Sequence, residues 1–81
     1  MPGMPSRSNA SYTWRLDPDV LRVARVRAGL TREELATRIG RSAQSVGLYE
    51  RGVMNPDPDI IVAIADALGV EPLDIMARRA A

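Results

Sequence analysis

The 81-residue chain has no cysteine, histidine, lysine or phenylalanine, and one tryptophan. Each absence closes a class of function. Without cysteine there are no disulfides and no thiolate metal sites, which fits a reducing compartment. Without histidine or cysteine the usual general base, thiol nucleophile and imidazole ligand are all missing. The chain is therefore expected to be no enzyme and to hold no metal or cofactor. The acids do not fill that gap, because Asp and Glu stand mostly at helix starts, where capping accounts for them. Gly40, Gly47 and Gly52 match no phosphate-binding loop. No apolar run reaches membrane-spanning length and the first residues lack a signal peptide's hydrophobic segment, so no membrane partner is expected.

What remains must build an aliphatic core of Leu, Ile, Val and Ala, and 81 residues allow one small domain. The net charge of +1 is uninformative as a total. Its distribution says more: residues 1–41 carry eight Arg against four acids, net +4, and residues 42–81 three Arg against six acids, net −3. Such polarity suits attraction to phosphate on one side of the molecule. All eleven basic residues are Arg, whose planar fork matches phosphate and guanine, although codon bias explains a lysine-free chain more simply.

Residues 1–11 are rich in Pro, Gly and Ser without periodicity and read as a flexible tail. Residues 12–16 alternate as a short extended segment containing Trp14. From 17 to 77 the signals predict one all-α domain, a compact bundle of five short helices, with 78–81 as a C-terminal tail. Asp17-Pro18-Asp19 opens the first helix, with Asp as N-cap and Pro at the first helical position. Gly29 stops it after about Ala28. Asp57-Pro58-Asp59 repeats that start for a fourth helix ending near Leu68, with Ile61, Ile64, Ala65 and Leu68 inward. Glu71-Pro72 predicts a fifth helix fraying near Arg78.

The most telling stretch lies between, at Thr31 to Gly52. Thr31 and Glu34 have the spacing of a capping box. Leu35, Ala36 and Ile39 fall on one helical face, and Gly40 follows at once, suited to a left-handed helix end. Ser42 caps the next helix, whose inward residues are Val46 and Tyr49. Two short helices meeting across a glycine turn, with small Ala36 at the crossing, predict a helix-turn-helix over 32–51. That motif suits duplex DNA, whereas an ordinary helical hairpin is the plainer alternative.

The order of these blocks resembles the phage repressor and Cro (XRE) family of helix-turn-helix domains over residues 21–76. The blocks are Leu21 to Arg25, Gly29 to Ala36, Ile39 to Ser42 with Val46, Glu50-Arg51-Gly52, and Asn55-Pro56 with Ile64 to Val70. The resemblance implies a lambda-repressor-like fold whose third helix, Ser42–Arg51, enters the major groove. It implies Ala43, Gln44, Gly47 and Leu48 as base-contacting positions, with Gln44 bonding adenine and Ala43 and Leu48 touching a thymine methyl or sugar edge. It implies Thr31, Arg32, Arg41, Ser42, Ser45 and Arg51 on phosphate, and a partly buried ion pair between Arg25 and Glu50 that orients the third helix. Solvated surface arginines and simple capping by Ser42 are the alternatives.

Three features depart from the family. Gly47 sits in mid-helix, where it costs about 1 kcal/mol against Ala, so either the backbone approaches DNA there or the helix is soft until bound. Leu48 replaces a polar residue. The loop after Gly52 carries Val53, Met54, Asp57 and Asp59 where basic residues are common. Val23, Val26, Ile60 and Val62 exceed what the core needs and suggest an association surface. The resemblance thus implies a cytoplasmic, nucleoid-associated regulator, a repressor, bound as a homodimer to a near-palindromic DNA operator. The alternative is an antitoxin-like or co-regulatory module with weak or lost DNA binding, whose partner is a second regulatory protein.

Overall fold

In the computed structural model, which describes residues 12–80, four α-helices carry a two-stranded antiparallel sheet formed by the two ends of the described chain. The order is β1 (Tyr12–Leu16), α1 (Pro18–Arg27), α2 (Arg32–Ile39), α3 (Ala43–Glu50), α4 (Pro58–Leu68), a 3-10 turn (Pro72–Ile75) and β2 (Met76–Ala80). The tail expected at residues 1–11 lies outside the described residues.

The helices start and stop where side chains satisfy their free ends. Asp17 caps α1 by accepting from the N–H groups of Asp19 and Val20. Thr31 Oγ1 accepts from Glu34 N–H at 3.0 Å while Glu34 Oε1 accepts from Thr31 N–H at 2.8 Å, so both halves of the α2 capping box form. Gly40 ends α2 at φ 69°, a conformation that a Cβ would oppose, and this allows the sharp reversal into α3. Ser42 Oγ accepts from Ser45 N–H at 3.1 Å and caps α3. Asp57 holds the N-cap position of α4, but its side chain makes no cap bond. The two Asp-Pro-Asp starts are therefore not equivalent.

Leu21, Leu35, Val46, Ile64 and Ile75 are the largest fully buried side chains, joined by Leu16, Ile39, Tyr49 and Ile61. Ala36 is buried between α2 and its neighbours, where a larger side chain would separate the helices. Leu68, expected inward, packs at the core's edge.

The fifth helix is a correction. Pro72–Ile75 makes a single 3-10 turn, and β2 follows. The stretch expected as a fraying helix and tail pairs with β1 in the register Leu16↔Met76, Trp14↔Arg78, Tyr12↔Ala80. Asp17 N–H donates to Ile75 C=O at 2.8 Å just beyond the sheet. Main-chain groups from Ile75 onward thus bond across to the start of the domain instead of along a helix. Leu16 N–H is taken by Asn55 Oδ1 at 3.0 Å, which fastens β1 to the loop before α4.

Candidate nucleic-acid interface

Helix α3 is short, and its two sides differ sharply. Val46, Tyr49 and Glu50 are buried. Gln44 and Arg51 are exposed, and Ala43, Ser45 and Leu48 are half-buried. Residues 44, 47, 48 and 51 recur at helical spacing on one side. Gly47, between the exposed ones, is itself buried. A Cβ built there would meet a single neighbour within 4 Å, Arg51 Nη1 at 3.3 Å. The guanidinium of Arg51 thus reaches back over Gly47, and little of that backbone is open.

The end of α3 is held by a three-residue charge cluster. Arg25 Nε donates to Glu50 Oε2 at 2.5 Å and Arg25 Nη2 to Oε1 at 3.2 Å. The sequence-expected pair therefore meets as a two-pronged contact. Arg25 Nη1 also donates to Leu30 C=O at 2.8 Å, which ties the α1–α2 turn to the same point. Arg32 Nε adds a third bond to Glu50, at 3.1 Å to Oε1.

This last contact has no signature in the sequence. Arg32 stands at the first position of α2 and reads as a solvent-facing residue. Only the crossing of α2 over α3 brings its guanidinium to the carboxylate. The Glu50 side chain is 1% exposed, against 12% for Arg25 and 46% for Arg32. Burial alone would raise the Glu50 carboxyl, but hydrogen bonds and charge from both arginines outweigh it and hold it below its ordinary value. The bond that Arg25 donates to Glu50 raises Arg25 in turn, against the opposing effect of burial. Two cations on one anion leave the cluster with a net positive charge.

The remaining candidates surround this framework. Thr31 is exposed, its Oγ1 and N–H both engaged with Glu34. Ser42 is exposed, and its hydroxyl caps α3 while donating to Ser45 Oγ at 3.1 Å. Arg41 is exposed, with Nη1 donating to Gly40 C=O at 2.9 Å. Among the described residues no group of acids is arranged to hold a metal ion, and no helix is long and apolar enough to cross a membrane.

A small helical core that buries one side of a short helix behind a glycine turn and exposes the other defines a helix-turn-helix domain. Comparison with known proteins agrees. The helix-turn-helix family pattern matches residues 21–75. The restriction-modification controller protein C.AhdI of Aeromonas hydrophila is 36% identical and superposes with a TM-score of 0.69, covering 72% of this chain and 88% of that one. The clp gene regulator ClgR of Corynebacterium glutamicum is 28% identical with a TM-score of 0.69, covering 72% and 62%. The P22 c2 repressor, solved with a synthetic operator, shares the fold at 22% identity and a TM-score of 0.67, covering 72% and 88%. A curated relative from Aeropyrum pernix, described as a candidate HTH-type transcriptional regulatory protein, is 37% identical over 68 residues; these make up 80% of this chain and 21% of that protein. The chain thus spans about a fifth of that relative's length. It belongs to the helix-turn-helix family, in the phage repressor and Cro (XRE) class.

Proposed function

We propose that this chain binds a specific DNA operator as a homodimer and represses transcription, in the cytoplasm on the nucleoid, by laying α3 in the major groove. The observation that carries this reading is the division of α3. Its inner side is locked by the core and by the Arg25–Glu50–Arg32 cluster, while Gln44 stands free on the outer side. A fixed helix with an uncommitted amide is what base reading requires.

In this reading Gln44 bonds adenine N6 and N7, Ala43 and Leu48 contact a thymine methyl, and Gly47 is the low point between them. Thr31, Ser42 and Ser45 offer hydroxyls, and Arg32 and Arg41 offer charge, to phosphate. Arg32 uses only Nε on Glu50 among the described contacts, which leaves its two Nη groups available to DNA in this reading. The regulatory roles in the names of C.AhdI and ClgR support the same reading. The homodimer draws support from exposed Val23, Val26 and Leu73 and from an apolar groove of about 540 Å³ lined by Val20, Val23, Leu68 and Val70.

Selection of bound duplexes from a random library tests the proposal. The expected product is a near-palindrome with half-sites about one helical turn apart. Failure to enrich any sequence with folded protein at low salt overturns it. One observation favours a second reading, a co-regulatory or antitoxin-like module whose main partner is a protein. Val53 is 69% exposed and Asp57 makes no cap bond, so the loop after α3 presents apolar and acidic groups where phosphate would repel the acid. That reading expects no steep loss of DNA affinity with added salt.

A further inference from the structure

Two oddities of the chain meet in the middle of α3. One is a glycine at position 47, where it weakens the helix. The other is an arginine at the helix end whose side chain forms no ion pair, although Asp17 and Asp19 line the same cavity. Glu50, the adjacent acid, is filled by Arg25 and Arg32. Among the described residues the Arg51 side chain makes no hydrogen bond or ion pair, and it is exposed; its main-chain N–H donates to Gly47 C=O at 3.1 Å. Side chains on a helix lean toward its N-terminus. Arg51 follows that rule, and its Nη1 would stand 3.3 Å from a Cβ at Gly47, the one contact such an atom would meet within 4 Å. A side chain at position 47 would be a wedge beneath the guanidinium. Its absence lets the fork lie one turn back, at the level of Gly47 and Leu48, instead of beyond the end of the helix.

From this geometry we infer that Arg51 reads a guanine in each half-site, and that Gly47 is a positioning residue that seats it. The inference rests on the proposed DNA reading of α3 and replaces the phosphate role that the family resemblance implies for Arg51. Guanine presents O6 and N7 together at the major-groove edge, and a planar guanidinium satisfies both at once. The site preferred by the protein then contains a guanine beside the base pair read by Gln44.

The test compares library selections by the wild-type protein, Arg51→Lys and Arg51→Ala, with affinities measured at several salt concentrations. Lysine keeps the charge for phosphate but lacks the fork. Arg51→Lys is expected to lose the guanine at one position per half-site, with discrimination there falling about 5- to 150-fold, other positions retained and the salt dependence unchanged. If Arg51→Lys selects the wild-type motif, and Arg51→Ala weakens all sequences alike with a salt slope for the homodimer shallower by about 1.8, Arg51 is a phosphate contact and the inference is overturned. If the wild-type protein enriches no sequence, the DNA reading itself fails, an outcome separate from the first. Thermal melts of the variants verify folding, which an exposed Arg51 is not expected to alter.

Discussion

At the scale of single residues, the most consequential side chain is Glu50, because it is the only buried charge in the described core. A buried carboxylate is tolerated when its partners remain, and removal of one partner of such a pair costs about 3–5 kcal/mol. Its two partners differ in burial, so they are expected to differ in cost. Arg25→Ala strips Glu50 of a two-pronged contact at a 12% exposed side chain and is expected to fall in that range. Arg32→Ala removes a single bond from a side chain 46% exposed, and should cost about 0–1 kcal/mol. Urea unfolding of both variants measures the gap. In the proposed reading the order reverses for function, with Arg32→Ala weakening DNA binding for all sequences alike.

The same carboxylate sets the response to acid. Glu50 is held below its ordinary 4.5, so the unfolded chain takes up the proton first as pH falls. Its stabilising contribution is therefore complete above about 4.5 and is lost as pH drops through the lower folded value. Glu34, bonded by the Thr31 N–H, shifts in the same direction. With no histidine in the chain, no side chain has an ordinary titration between pH 5 and 8. Urea midpoints are expected to be flat from about pH 5 to 8 and to decline below. Glu50→Gln, although less stable throughout, should show a shallower decline; an equally steep one would place the acid sensitivity elsewhere.

At the scale of elements, capping chemistry separates helices that look alike on paper. Asp17 accepts two N–H bonds at the start of α1, whereas Asp57 accepts none at the start of α4. Asp17→Ala is expected to cost about 1 kcal/mol, and Asp57→Ala no more than a few tenths. Thermal unfolding of the two variants is a direct comparison of the same motif with and without its bond. Helix α3 carries the opposite kind of flaw. Gly47→Ala should raise stability by about 0.5–1 kcal/mol, because the added Cβ displaces only the flexible end of Arg51. A rise in melting temperature would identify Gly47 as a residue kept at a cost to folding.

What could be read in advance at this scale follows from distance along the chain. Caps, glycine stops and the inward face of α2 are decided within four or five residues, and Thr31, Glu34, Leu35 and Gly40 each sit where those local rules put them. Met76–Ala80 is decided elsewhere. Met-Ala-Arg-Arg-Ala has nothing that opposes a helix, and it becomes a strand because Tyr12–Leu16 stands beside it from the other end of the chain. The candidate interface divides in the same way. Gln44 and Ser42 are recognisable from their place after the turn. The Arg32–Glu50 bond and the cover of Arg51 over Gly47 depend on how helices cross and side chains recline, which spacing does not encode.

At the scale of the whole molecule, the charge asymmetry of +4 and −3 between the two halves becomes a measurable quantity once the DNA contacts are counted. Each phosphate neutralised by an arginine contributes about −0.9 to the slope of log affinity against log salt. The proposed reading gives two such arginines per protomer, Arg32 and Arg41, since Thr31, Ser42 and Ser45 are neutral and Arg51 is turned to a base. A homodimer should then show a slope of about −3.6, and a single protomer about −1.8. Between 50 and 200 mM salt these correspond to losses of about 150-fold and about 12-fold. If Arg51 also lay on phosphate, the dimer slope would steepen to about −5.4. Affinities for the selected duplex at four or five salt concentrations therefore read assembly and contact count together. A slope near zero would remove DNA from the proposal and leave the apolar and acidic loop after α3 as the surface to pursue.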